Sequence, residues 1–200
     1  MMKPEDISIS NLSPHLAPAV KAVAAAAAQR KPGVLLVGPG VGMIMLAQRV
    51  PLMLPPLSPD ALRYVRNVQF RAYASAGLTD YDHPHGPERP FRAPHHTISD
   101  LGLADRTHGE VMLAVGGVLM LDELLEFRTT VLQALVTRIA AMDVACRPFL
   151  VATAPPCPCG GPRGVRNCVC PRSAIDALNA KRAALGKMLK LTRVDMPERA

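Results

Sequence analysis

An α/β fold with a mainly parallel sheet flanked by helices is what this 200-residue sequence predicts, and three observations carry it. A short apolar run, Val34-Leu35-Leu36-Val37, leads through a glycine-rich turn into a helical segment. A second apolar run, Val118-Leu119-Met120-Leu121, ends on Asp122-Glu123, the pattern of a buried strand delivering carboxylates to its carboxyl end. Composition agrees: 49% of the residues are hydrophobic but only 4% are aromatic and Trp is absent. The core is therefore built from Leu, Val, Ala and Met, which suits alternating helices and buried strands better than a sandwich. A chain of this length suits one globular domain with a substantial core, so residues 1–200 are read as a single domain.

In chain order, the first helix is predicted to start at Ser13-Pro14, with Ser as N-cap and Pro in the first turn. It runs through the alanines at 24–28, which lie between Lys21 and Arg30. The strand at 34–37 follows, then the turn with Gly38, Gly40 and Gly42, then a helix over 43–50. Of the twenty prolines, thirteen cluster in 51–59, 84–94 and 155–171, the predicted loops. The longest apolar stretches, 33–47 and 111–121, are short or broken by Gly and Pro, so no segment is expected to span a membrane. Glu5 and Asp6 precede any apolar run, unlike a signal peptide, and a cytoplasmic protein is the expectation.

Charge is uneven. Residues 1–145 carry 13 basic and 13 acidic side chains, whereas residues 146–200 carry 10 against 3. A basic end meets nucleic acid or an acidic partner, or is a solvated helix; no aromatic side chains are interleaved to stack on bases. The same quarter holds Cys157-Pro158-Cys159 and Cys168-Val169-Cys170. These two C-x-C pairs offer four thiolates to Zn²⁺ from two facing turns, with reduced structural thiols as the alternative. Cys146 is expected to pack as a small hydrophobe. Four histidines, His83, His85, His95 and His96, lie in a proline-stiffened segment whose spacing permits a metal site but equally suits recognition or packing.

The chemistry centres on the turn Gly38-Pro39-Gly40-Val41-Gly42-Met43-Ile44 and on Asp122-Glu123. A P-loop cradles phosphates on backbone N–H groups, while a Lys reaches the β and γ phosphates and a Ser/Thr hydroxyl binds Mg²⁺. Met43 and Ile44 stand where the Lys and the Ser/Thr belong, and only three residues separate Gly38 from Gly42, one fewer than the usual spacing. The turn either binds a phosphate or merely reverses the chain. In the acidic half, Asp122 is the candidate Mg²⁺ ligand and Glu123 the group that orients an attacking water.

Arg89-Pro90-Phe91-Arg92-Ala93-Pro94-His95-His96-Thr97-Ile98-Ser99 resembles the R-P-F-R-x-P-H-H-[ST]-x-S signature of the magnesium-chelatase-like AAA+ ATPases, in particular the ComM (YifB) type. Gly109-Glu110-Val111, then Gly116-Gly117-Val118-Leu119-Met120-Leu121-Asp122-Glu123-Leu124 and Glu126-Phe127, is similar to that family's G-E-[VI]…G-G-V-L-F-L-D-E-L-x-E-F block. Pro156-Cys157-Pro158-Cys159-Gly160 resembles its N-P-C-P-C-G turn. Met45-Leu46-Ala47 with Leu54-Pro55-Pro56-Leu57 resembles the helix and loop after its P-loop. The resemblance covers about residues 15–196 in four ordered segments.

It implies a P-loop AAA+ core binding ATP and Mg²⁺ at the subunit interfaces of a ring. The ring would be a homo-oligomer or a mixed ring with a paralogue, and ComM-type members act on DNA. It also implies the phosphate cradle at Gly38, Pro39, Gly40, Val41, Gly42, Met43 and Ile44, the metal and water roles of Asp122 and Glu123, and an arginine finger at Arg193. The departures are equally specific. Met43 and Ile44 replace Lys-Thr, and Pro155 replaces the Asn that senses the γ-phosphate and has no side-chain donor. Leu103 to His108 replaces a glycine-rich linker, and Thr192-Arg193-Val194-Asp195 matches D-R-I-D only in part. Neither a C-terminal helical lid nor the N-terminal ComM-type domain is expected. The resulting expectation is an ATP-binding module with weak or lost hydrolysis; the alternatives are a non-catalytic regulatory subunit of a paralogous ring, or a zinc-stabilised DNA-contacting module.

Overall fold

The computed structural model describes residues 12–38, 40–77, 89–160 and 168–197. Five strands, β1 (Gly33–Val37), β2 (Phe91–Arg92), β3 (Val118–Leu121), β4 (Phe149–Ala154) and β5 (Thr192–Asp195), form one sheet in the order β2-β3-β4-β1-β5. Every pairing is parallel, with Val118 opposite Phe149, Gly33 opposite Leu150 and Val34 opposite Thr192. The predicted parallel α/β sheet is therefore the observed one. Strands β1, β3 and β4 are buried along their full length because helices cover both faces, which is why they read as unbroken apolar runs.

Alternation along the strands divides the core in two. Val34, Leu36, Val118, Met120, Phe149, Val151 and Val194 face one layer, packed with α1 (Ala17–Ala28) and α2 (Val41–Ala47). Leu35, Val37, Leu119, Leu121, Leu150, Ala152 and Ala154 face the other. That second layer draws on α3 (Pro59–Ser75), α4 (Asp100–Ala104), α5 (Glu110–Leu113), α6 (Thr129–Ala140) and α7 (Arg172–Met188). No helix among the described residues is long and apolar enough to cross a membrane.

Three local expectations need correction. Ser13 does not cap the first helix through its side chain; its hydroxyl pairs with His15 Nδ1 at 2.6 Å, and a 3₁₀ turn over Pro14–Leu16 leads into α1. The second helix spans Val41–Ala47 rather than 43–50, and a separate 3₁₀ turn occupies Val50–Met53. Pro51 brings no N–H to bond the Ala47 carbonyl, so the α-helical ladder cannot run on through it. The proline-rich stretch 84–94, expected as loop, contributes the two-residue strand β2. Conversely, Ser58 accepts a bond from the Ala61 N–H and Pro59 opens α3, a start signal of the kind expected at a helix N-terminus.

Leu119 is fully buried on the interior strand β3, whereas Leu101 on α4 is 70% exposed. Leu119→Ala is expected to lower unfolding free energy by about 2–5 kcal/mol, and Leu101→Ala by no more than about 0.5 kcal/mol, read by chemical denaturation of the two variants side by side.

Candidate nucleotide site

The strand order reverses its direction of growth at β1, which lies between β4 and β5. In an open parallel sheet, ligands bind beyond the carboxyl ends of the strands at such a switch point. The glycine turn leaves β1 there, Asp122 and Glu123 leave β3, and Pro155 leaves β4. Strands β3 and β1 are two strand spacings apart, about 10 Å, with β4 between them. The two halves of the predicted site thus bracket the end of β4.

Alternation also decides the face. Val118 and Met120 point toward the α1/α2 layer, so Asp122, two residues on, continues on the side of the sheet from which α2 rises. A residue that sequence reasoning missed holds it there. Thr153 Oγ1, buried in β4, donates to Asp122 Oδ1 at 2.5 Å and accepts from the Glu123 N–H at 2.9 Å. Glu123 itself sits in the left-handed region, φ 53° and ψ 52°. That conformation is uncommon for a side chain other than Gly, Asn or Asp, and such strain gathers at functional sites. The turn re-aims the second carboxylate away from the strand axis, leaving the Glu123 side chain 64% exposed while His96 Nδ1 lies 3.4 Å from its Oε2. His96 in turn packs edge-on against Phe127 at 6.3 Å.

The motif arginines brace this arrangement from the sheet edge. Arg92 makes a bidentate pair with Glu110, 2.7 and 2.8 Å, and Arg89 donates to the carbonyls of Gly116 and Pro55. Both contacts fasten β2 beside β3 and the segment that enters it. Of the histidines, His95 bonds Thr97 at 2.9 Å and stacks on His96 at 4.0 Å; His83 and His85 lie outside the described residues.

The phosphate half differs. Gly40 caps α2 with φ 20° and ψ −109°, and the space a side chain would take there is open to 4 Å, the opening a backbone cradle requires. Gly38 is needed for a different reason: a Cβ would lie 2.4 Å from Met196 Cβ, where the chain passes after β5. Pro39 and the Val41 side chain lie outside the described residues. Helix α2 begins at Val41, so Gly42 and Met43 fall within its first turn. Met43 is buried among the α1/α2 core residues, and Ile44 is 38% exposed. No fixed cation comes from either position. Arg193 lies on the edge strand β5, exposed, and pairs with Asp195 at 2.6 Å. A cavity of about 790 Å³ opens at the opposite, amino-terminal edge of the sheet, near Pro32, Gly117 and Pro148; Arg89 lines it, but neither the glycine turn nor the acidic pair does.

The donor set fits the metal half of a nucleotide–Mg²⁺ complex: Asp122 and the neighbouring Glu123 offer hard carboxylate oxygens at the carboxyl end of β3. It does not fit the charged half, where apolar side chains stand.

The cysteines gather beyond the end of β4. Sγ atoms of Cys157, Cys159, Cys168 and Cys170 all lie within 4.8 Å of one another. The Cys159 N–H favours the Cys157 thiolate, but burial and the three adjacent thiols outweigh it and push Cys157 up to about 12. Cys146 packs in the core as expected; burial, with the Asp143 charge, pushes it up to about 11, so it stays a thiol at neutral pH. On the basic end, Lys181 donates to the Leu125 carbonyl at 2.6 Å and Arg182 to the Pro155 carbonyl at 2.6 Å, so the fold itself engages two of these cations.

A glycine turn after the first strand, an acidic pair after β3 and a five-stranded parallel sheet define the P-loop fold of the AAA+ class. Residues 16–196 match the model of the magnesium chelatase subunit ChlI family, and the chain belongs to that family. An uncharacterized protein of Mycobacterium tuberculosis is 39% identical over 193 residues, covering 88% of this chain and 36% of the relative. The competence protein ComM of Haemophilus influenzae is 32% identical over 176 residues, 80% of this chain and 34% of its own length. The chain thus spans about a third of the length of these curated relatives. Among solved structures, NtrX from Brucella abortus in complex with ADP superposes with a TM-score of 0.54 at 14% identity, over 96% of this chain and 38% of that one, a likeness of fold.

Thr153→Val keeps the volume of the side chain but leaves the Asp122 carboxylate without its donor and the Glu123 N–H without its acceptor. It is expected to cost about 1–3 kcal/mol of stability, with Thr153→Ser recovering most of the loss, measured as paired shifts in thermal unfolding.

Proposed function

We propose that the chain is an ATP-binding AAA+ module of the chelatase/ComM type that hydrolyses ATP poorly or not at all. One observation carries the reading: the acidic half is braced by Thr153, while the position for the phosphate-binding lysine is filled by Met43, which is packed into the core. The ADP complex of NtrX, a protein of similar fold, supports a nucleotide as the ligand class. Backbone N–H groups of Gly40, Val41, Gly42 and Ile44 would receive the phosphates; Pro39, though in the turn, has no N–H to give, and the N–H groups of Gly38 and Met43 already donate to the Ala154 and Gly40 carbonyls. Asp122 would hold Mg²⁺, which when bound neutralises phosphate charge, and Glu123 would orient water, with His96 beside it. Arg193 on the edge strand would serve a neighbouring subunit.

Without the lysine, one charge-assisted contact worth about 1.5–3 kcal/mol is missing from the bound state. That lowers affinity about ten- to a hundred-fold, and the loss grows where transition-state charge accumulates. Ile44 removes a metal ligand and Pro155 a γ-phosphate donor. Residual binding with little turnover is the combined consequence.

A second reading, an interaction subunit that joins or regulates a ring of a full-length paralogue, is favoured by Tyr64 and Phe70. These aromatic side chains of α3 are 52% and 62% exposed. It predicts co-purification with such a paralogue; a strictly monomeric protein that captures none speaks against it.

Phosphate release from ATP–Mg²⁺ is expected to stay far below ~1 s⁻¹, the low end of ordinary enzymes. Met43→Lys combined with Ile44→Thr is expected to leave it low, because the turn remains one residue short and position 43 points into the core. Turnover near ~1 s⁻¹ in the unmodified chain overturns the reading.

A further inference from the structure

The cysteine cluster is separate from the nucleotide chemistry and is built to a different specification. Its four sulfur atoms come from two short segments, Cys157 and Cys159 just after β4, and Cys168 and Cys170 just before α7. Between the segments, Cys157 Sγ lies 3.4 Å and Cys159 Sγ 3.7 Å from Cys168 Sγ. A tetrahedral ion with metal–sulfur bonds of about 2.3 Å sets its ligand sulfurs about 3.8 Å apart. A disulfide requires about 2.05 Å. The observed spacings lie closer to the first value than to the second, and four sulfurs gather within 4.8 Å of one another where a disulfide would need only two.

The ligand type selects the ion. Every donor in the cluster is a thiol, with no carboxylate or imidazole among the group. Soft sulfur excludes Mg²⁺ and Ca²⁺ and suits tetrahedral Zn²⁺. Burial grades outward from Cys157, fully buried, through half-buried Cys168 and Cys170 to exposed Cys159. Four protein ligands leave no open position, the mark of a structural rather than a catalytic zinc.

We propose that Cys157, Cys159, Cys168 and Cys170 bind one Zn²⁺ as a closed tetrathiolate, and that the ion is a clamp joining the exit of β4 to the entry of α7. The clamp acts next to the nucleotide site without belonging to it. Pro155, two residues before Cys157, has its carbonyl bonded by Arg182 of α7 at 2.6 Å. A tight turn follows, with the Gly160 N–H donating to the Cys157 carbonyl at 2.9 Å and Gly160 at φ 77°. Helix α7 starts at Arg172, two residues after Cys170. Strand β4 and helix α7 are therefore tied twice, by Arg182 and by the metal, and the second tie removes the entropy of the loop from 157 to 170. This inference is independent of whether ATP is bound.

The test uses the full chain purified without chelators under reducing conditions. Elemental analysis is expected to find about one zinc per chain and no iron. Replacement by Co²⁺ is expected to yield the visible absorption of a tetrahedral tetrathiolate, absent from the Cys157→Ser variant. Cys159→Ser, at the exposed ligand, keeps the question open should Cys157→Ser fail to fold: it is expected to weaken zinc retention against a chelator and lower the unfolding temperature. Cys146→Ser is expected to leave zinc content unchanged. A folded chain with negligible zinc and four freely alkylated cluster thiols overturns the proposal, as does stoichiometric iron or a disulfide between these cysteines in non-reducing mass spectrometry.

Discussion

The hydroxyl of Thr153 is the point on which the acidic half of the site turns. It bonds the Asp122 carboxylate on one side and the Glu123 N–H on the other, so a single buried side chain fixes where β3 ends and how the chain leaves it. The bonds exist only because β3 and β4 run parallel in one register, with Leu121 opposite Ala152. A slip of one residue would carry Thr153 and Asp122 to opposite faces of the sheet. The two apolar layers forbid that slip, since each strand's alternate residues are committed to separate cores. Packing thus determines chemistry: the position of Asp122 follows from which face Leu119 and Leu121 must bury.

Around that point the structure is lopsided. The side that would meet a metal is braced, from Thr153 through the left-handed Glu123 to His96 and Phe127. On the side that would meet phosphate charge, the backbone turn remains but Met43 has joined the core. The two sides differ in what change costs. Removing Thr153 disturbs two strands, whereas the apolar Met43 is buried in the core and stabilises the packing of α2.

Much of this was legible in the sequence, and the rest was not for physical reasons. Strands β1 and β3 are buried on both faces, so their apolar runs and the groups at their ends were readable from spacing. Strand β2 was not: two residues with a proline on either flank carry no periodicity, and it exists because Arg92 and Arg89 fasten it to distant groups. Thr153 was invisible for a similar reason, since one hydroxyl in an apolar strand signals nothing until its neighbour strand is known. Helix α2 starts two residues before the expected position because Val41 and Gly42, which read as part of the glycine turn, already belong to its first turn. The cysteines were legible as two pairs, but whether they converge depended on how β4 and α7 are joined. The family's P-H-H segment drew attention by sequence, yet the contact of His96 with Glu123 needed the fold.

The central claim, a nucleotide site that keeps its metal half and has lost its phosphate charge, is tested most directly by calorimetric titration with ATP in the presence and absence of Mg²⁺. Saturable binding of one nucleotide per chain is predicted, dependent on Mg²⁺ and lost or strongly weakened in Asp122→Asn with the fold intact. No saturable binding, or binding indifferent both to Mg²⁺ and to Asp122→Asn, would contradict it.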